Sequence, residues 1–326
     1  MQPKTEPRGD PRPTARIGHF AAFGVTEKLI ADAIAAALSR GGDHADVFFQ
    51  HRVGSSLGLE DGAVNRAYGS ARLGVGVRVV KGDQTGYGFT EDLAAEALRE
   101  CARTAAAIAD GPSRTAPERF HVESRLPERY PVRLRWEDVR PEQKLPLLAA
   151  LNERAFAADP RVRKANVHFA DESSAILLAD SRGRLVEDLQ PMTVLSLSVV
   201  AEDGGRRESN GYNVAGRAGF EFYTPERLDR VVREAVARTL VLFDAVPAPA
   251  GEMPVVLAAG SSGILLHEAI GHGMEADFNR KGVSIYADKI GQAIARPFVN
   301  IVDDATPPGA RGAINVDDEG NPAGRT

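Results

Sequence analysis

The sequence has 326 residues, 43% hydrophobic and 26% charged, with a formal net charge of -5, an ordinary globular composition able to bury one large core or two smaller ones. Acidic and basic residues are interspersed, which excludes a basic face for nucleic acid, and no apolar run approaches the roughly 18 residues that cross a bilayer. The N-terminus MQPKTEPRGDPRPTAR lacks the apolar stretch of a signal peptide, so a cytoplasmic location is expected, and the single cysteine, Cys101, leaves any metal centre to His and carboxylate.

Residues 1–16 are Pro-, Arg- and Asp-rich without apolar periodicity and are expected to form a flexible tail. Thr26 is a good N-cap, and Leu29, Ile30, Ile34 and Leu38 follow at helical spacing up to Gly41-Gly42. Between 45 and 90 the period changes to that of short antiparallel strands, with turns at Asp61-Gly62 and Lys81-Gly82-Asp83. Residues 91–109 return to helix, with Leu93, Leu98, Cys101, Ala105 and Ile108 along one side. The prolines of 110–141 suit a domain boundary or a long surface connection.

Beyond it the pattern predicts a helix at 142–157, strands near 162–170, 173–179, 184–189 and 192–202, and a helix from Pro225 to Leu242. Met253 to Ala259 reads as a buried strand, and Gly260-Ser-Ser-Gly263 as the cap of a helix running through Ile264 to Met274. The order of elements is that of an α+β protein. The expected division is a tail at 1–16, an N-terminal α+β domain at 17–135 and a second domain at 136–326 that carries the chemistry.

That chemistry centres on His267-Glu268-Ala269-Ile270-Gly271-His272, in a chain with only seven histidines. Zinc favours imidazole nitrogen, and a hydrolytic zinc site needs a nearby base, the role Glu268 is placed to take. In the usual metalloprotease motif the histidines stand four apart on one helical face; here they stand five apart. Five steps of about 100° leave the side chains about 140° apart on a regular α-helix. Chelation therefore requires irregular backbone between 268 and 273, and Gly271 and Gly273 make such a departure inexpensive. Paired histidines near a helix end also occur as satisfied structural groups, and the spacing alone leaves both readings open.

The stretch His-Glu-Ala-Ile-Gly-His-Gly-Met-Glu-Ala-Asp-Phe-Asn-Arg-Lys-Gly at 267–282 resembles the signature segment of the TldD/PmbA family of metallopeptidases, on the TldD side that keeps the metal motif. Gly74-Val-Gly-Val-Arg78 with Thr85-Gly-Tyr87, Gln190-Pro-Met192 with Gly205-Arg-Arg-Glu-Ser209, Val302-Asp-Asp304, and Gly312 to Gly320 extend the resemblance over nearly the whole chain after the tail. It implies the family's two-part α+β architecture and zinc-dependent hydrolysis of unstructured peptides, with zinc on His267 and His272 and the motif glutamate at Glu268. It also implies a dimer, with itself or with a related subunit lacking the motif, and a third zinc ligand that is a cysteine near the C-terminus. This sequence has no such cysteine, so a C-terminally truncated chain is expected. Cys101, on the apolar side of a helix, reads as core. The alternative function is a non-catalytic peptide-binding or structural partner subunit, or an inactive fragment lacking the third metal ligand.

Other features have blander readings. Gly260-Ser-Ser-Gly263 lacks the Lys-Ser/Thr ending of a phosphate loop. Gly74 and Gly76 lie within a strand pattern and fit close packing better than a dinucleotide turn. Asp303-Asp304 and Asp317-Asp318-Glu319 lack the spacing of a calcium loop and read as turns. Arg206-Arg207 and Asn279-Arg280 are candidates for binding a peptide carboxylate or are solvated loop charge. His168 alternates with Val167 and Phe169 on a polar strand face and is not proposed as a ligand.

Overall fold

In the computed structural model the described residues are 17–123, 126–130 and 132–326, and the tail expected at 1–16 lies outside them. Helix α1 (Glu27–Ala37) begins where Thr26 Oγ1 accepts the Leu29 N–H at 3.1 Å, satisfying one of the open amides of its first turn. Its apolar stripe, Ile30, Ala33, Ile34 and Ala37, is buried. Strands β1 (His44–Glu60) and β2 (Ala63–Lys81) form a hairpin whose turn residues Asp61 and Gly62 both take positive φ, at 48° and 86°, the backbone that a two-residue hairpin requires. Strand β3 (Gln84–Thr90) continues the meander, and α2 (Ala95–Ala106) packs back on it, shorter at both ends than the expected 91–109. Gly86 and Gly88 face α2 so closely that a Cβ would come within 2.1 Å of the Ala105 carbonyl oxygen and 2.4 Å of that of Cys101.

The short strand β4 (His121–Val122) and helix α3 (Pro141–Ala158) precede β5 (Val162–Asp180), β6 (Arg184–Asp203), β7 (Arg206–Gly216) and α4 (Pro225–Leu240). All seven strands share one sheet in the order β3-β2-β1-β5-β6-β4, with β7 also on β6, antiparallel except for β4 beside β6. Strands from both sides of the proline-rich stretch thus lie in one sheet, joined by β1 against β5. The α+β expectation holds.

The four expected strands between 162 and 202 are instead two long ones, and β7 is additional. The pattern predicts breaks at the polar residues 171–172 and 190–191, but the polar groups around Asp171 find partners and the ladder runs on. Lys144, from α3, donates to Asp171 at 2.6 Å and to Ser55 at 2.8 Å, with the Lys144 and Asp171 side chains each only 3% exposed. Ser173 donates to Glu137, and Gln50 donates to Ser174. A buried charge that is paired and hydrogen-bonded is tolerated where an unpaired one is not. Burial pushes the Asp171 carboxyl up, while Lys144 and Ser55 oppose that shift.

The helices cover one face of the sheet. Val47 and Phe49 of β1, with Val75, Val77 and Val79 of β2, pack under α1 and α2. Leu57 and Leu59, with Val167, Phe169, Leu195 and Leu197, pack under α3 and α4 with Trp136 and Tyr223. Alternation sends Gln50 and Arg52 to the opposite face.

By its contacts the chain divides into one unit of residues 1–244 with 304–325, and a second of 245–303 with Thr326. In the first unit, residues 304–325 are tied down by polar contacts. Arg129 donates to the Ala323 carbonyl at 2.9 Å, Asn315 N–H donates to Tyr130 Oη at 3.0 Å, and Asn315 Nδ2 donates to Asp188 at 2.9 Å. Burial and Asp188 together push the Tyr130 hydroxyl far above its usual range.

The second unit differs from expectation at its start. Residues 253–259 form no strand, and Val255 and Val256 are 72% and 95% exposed. An apolar run supplies side chains for a buried strand, but a strand also needs a neighbour for its N–H and C=O groups, and among the described residues none pairs with it. Helix α5 (Ser262–Leu266) follows, without a side-chain cap from Ser261, and a short α6 (Ala276–Arg280) comes later. No helix among the described residues is long and apolar enough to cross a membrane.

Candidate metal centre

Helix α5 does not continue as α-helix through the motif. Residues His267–Gly271 form a π-helical turn and His272–Met274 a 3-10 turn. The turn is closed by the His272 N–H donating to the His267 carbonyl, the i to i+5 bond that defines a π-turn and sets residues five apart nearly above one another. This is the irregularity the spacing demanded. The two imidazoles meet with ring centroids 4.4 Å apart and planes at 67°.

Glycine acts here by a different route from the one expected. Gly271 is helical, at φ -57° and ψ -51°, and a Cβ there would meet His267 Nδ1 at an ordinary 3.6 Å. Gly273 is the demanding position, because a Cβ there would lie 2.8 Å from the Tyr286 ring. Ser284 Oγ and Asn279 Nδ2 both donate to the Gly273 carbonyl, the latter at 3.0 Å, and fold 273–286 against the end of the motif. Asn279 is thereby a local brace.

His267, Glu268 and His272 each offer one ligand atom, and these atoms all lie within 4.8 Å of one another, on exposed side chains. His272 Nε2 stands 3.6 Å from Glu268 Oε2. On the other side of that ring, His272 Nδ1 is 2.6 Å from Glu275 Oε1. A carboxylate only accepts, so Nδ1 carries the hydrogen and, in the neutral ring, Nε2 keeps the lone pair that points back toward Glu268 and His267. Metal-binding histidines have this pattern, one ring nitrogen free for the ion and the other oriented by a carboxylate. Glu275, followed by Glu268, holds the His272 pKa above its usual value. Sequence reading missed Glu275, whose signal was its place three residues after His272, one helical turn away. Two imidazoles brought together by a short π-turn, with a carboxylate beside them placed to serve a bound water, fit a borderline cation such as zinc.

Other candidates resolve into structure. Cys101 is buried on α2, and burial pushes its thiol up, so it serves the core. Arg206 pairs with Glu208 and donates to the Phe243 carbonyl, and Arg207 pairs with Glu202. Asp317 accepts from the N–H groups of Glu319 and Asn321, and Asp304 from Thr306, as turn residues do. His168 Nε2 hydrogen-bonds Ser56 Oγ at 3.0 Å.

Three family domain patterns match the chain in order: PmbA/TldA metallopeptidase domain 1 over residues 45–109, the central domain over 134–243 and the C-terminal domain over 250–326. A metalloprotease TldD homolog of Haemophilus influenzae is 38% identical over 289 residues, covering 86% of this chain and 60% of the relative. One from Buchnera aphidicola is 33% identical over 293 residues, covering 86% and 59%. The chain thus spans about three fifths of the length of these relatives. The crystal structure of a proposed modulator of DNA gyrase from Bacteroides thetaiotaomicron superposes with a TM-score of 0.72 at 19% identity, covering 92% of this chain and 68% of that one, and shares the fold. The matches run through the sheet unit and the histidine motif alike, and the chain belongs to the TldD/PmbA family of metallopeptidases.

Proposed function

We propose that this chain carries the zinc ligands and the general base of a peptidase that cleaves extended, unstructured peptides. The observation that supports this is the π-turn that brings His267 edge-to-face with His272, with Glu268 beside them. His267 and His272 would hold the ion. Zinc, when bound, supplies Lewis acidity toward the peptide carbonyl and toward water. Glu268 accepts the proton of the attacking water and returns it to the leaving amine. Glu275 keeps Nδ1–H of His272 occupied, so that Nε2 faces the ion. Main-chain hydrogen bonding along a strand edge would give broad tolerance of substrate sequence. The family resemblance supports a dimer, with a second copy or a related subunit lacking the motif, and light scattering of purified protein tests it.

The test is Glu268→Gln assayed with zinc analysis on the same preparation. The proposal expects zinc to remain and hydrolysis of an unstructured peptide to fall about 10²- to 10⁴-fold. Unchanged hydrolysis would remove Glu268 from the chemistry. A second reading, a non-catalytic partner, is favoured by the ion pairing of His272 between Glu268 and Glu275 on an exposed surface. It expects no stoichiometric zinc in the parent protein and no effect of His267→Ala on metal content.

A further inference from the structure

We infer that a hollow on the helix-free face of the sheet, over β1, β2 and β3, binds the free C-terminal carboxylate of a peptide with an apolar last side chain. The site lies wholly within the sheet unit and does not depend on the peptidase reading.

The register places Arg52 of β1 directly opposite Arg72 of β2. Like charges facing each other across strands are unfavourable, so this pairing adds nothing to the sheet. Glu172 answers Arg52, accepting from Nη2 at 2.6 and 2.7 Å. Among the described residues the Arg72 guanidinium has no hydrogen-bond or ion-pair partner. A cation placed against another cation and left without a partner, beside a cavity of about 350 Å³ that both arginines line, attracts an anion.

The remaining walls define which anion. Tyr87 and Phe89 are 62% and 60% exposed, costly for large rings unless something apolar rests on them. Gly74 and Gly76 let these rings fold across β2: a Cβ at 74 would lie 2.9 Å from the Phe89 ring, and one at 76 would lie 2.4 Å from Tyr87 Oη. Gln50 donates through Nε2 to Ser174 at 3.1 Å, which leaves its carbonyl oxygen to accept a ligand N–H. Glu91 also lines the hollow and disfavours a dianion. A planar carboxylate matches the guanidinium fork, the aromatic wall takes a side chain, and the amide oxygen takes the last peptide N–H. The volume suits one or two residues.

Fluorescence anisotropy of the 326-residue chain, kept metal-free with a chelator, tests this with a labelled unstructured hexapeptide ending in leucine. The free acid is expected to bind at least about tenfold more tightly than its C-terminal amide. Arg72→Ala and Arg72→Gln are each expected to abolish that difference while leaving amide binding and the circular dichroism spectrum unchanged. Tyr87→Ala is expected to weaken both peptides. Equal binding of acid and amide by the parent, or an acid preference that survives both Arg72 variants, would overturn the assignment. So would displacement of the peptide by inorganic phosphate at lower concentration than by N-acetyl-leucine. Because no metal is present and no bond is cut, the outcome is independent of whether Glu268 is a catalytic base.

Discussion

The sheet unit and residues 245–303 are held together by different means. In the sheet unit Phe49, Phe169, Leu148, Leu151 and Leu177 are fully buried, and the buried charges Lys144 and Asp171 among them pair with each other. In 245–303 no described residue is buried, and Val256, Ile290 and Phe298 are 95%, 96% and 80% exposed. The first region owes its shape to burial of apolar area, the second to local backbone and side-chain hydrogen bonds around the π-turn. In this chain, geometry at the histidines should therefore respond to changes in backbone length far more than to changes in apolar side chains, and the sheet unit should do the reverse.

The sharpest way to break this contrast is in the core. Phe169 packs between Trp136 and Tyr223, with ring centroids 5.8 and 5.3 Å away, so Phe169→Ala removes contacts on both sides and opens a cavity. The expected cost is about 3–5 kcal/mol, read as a lower midpoint in urea unfolding followed by far-ultraviolet circular dichroism. A loss below about 1 kcal/mol would mean that the core beneath α3 and α4 is not closely packed.

Next in size is backbone length at the motif. Inserting one alanine between Ala269 and Ile270 moves the histidines to six apart, which the i to i+5 bond no longer brings together. Under the zinc proposal, affinity is expected to fall about a hundredfold, the scale on which misplaced ligands are felt, with urea stability of the sheet unit unchanged. Deleting Ala269 gives a four-residue spacing, which a regular α-helix serves, and zinc binding is expected to persist. Equal affinity in parent and insertion variant would show that the π-turn does not define the site.

A smaller effect sits at the start of the sheet unit. His19 Nε2 hydrogen-bonds His51 Nδ1 at 2.9 Å with the rings stacked, and burial, then His51, lowers the His19 pKa below its usual 6.5. With a depressed folded value, the unfolded state binds the proton more readily. The contribution of this contact is thus present above the unfolded pKa and is lost as pH falls through the folded one. Amide exchange of residues 17–24, corrected for intrinsic rates, should rise between pH 7 and pH 5 relative to α2. No change would mean that the histidine pair does not hold this segment.

Much of the sheet unit was legible because its signals are local. Thr26 announced α1, Asp61-Gly62 announced the β1–β2 turn, and alternation announced the strands. The strand lengths were not legible, because whether Asp171 interrupts β5 depends on Lys144, 27 residues away, arriving beneath it. At the metal motif, the spacing of histidines five positions apart was enough to require a distorted helix. The role of Gly273 was hidden, since it depends on Tyr286 folding back over it.

The least of the expected effects tests the reading that failed. If Met253 to Ala259 were the buried strand that its apolar run describes, Val256→Ser would strip a core methyl pair and bury an extra hydroxyl, at about 2–3 kcal/mol. At 95% exposure the substitution removes almost no packing, and the expected change in urea stability is within about 0.5 kcal/mol. The measurement should be made at two protein concentrations tenfold apart. A large loss that grows on dilution would mean that this segment finds its missing strand neighbour in another copy of the chain, and the contrast between the two regions would then belong to the monomer alone.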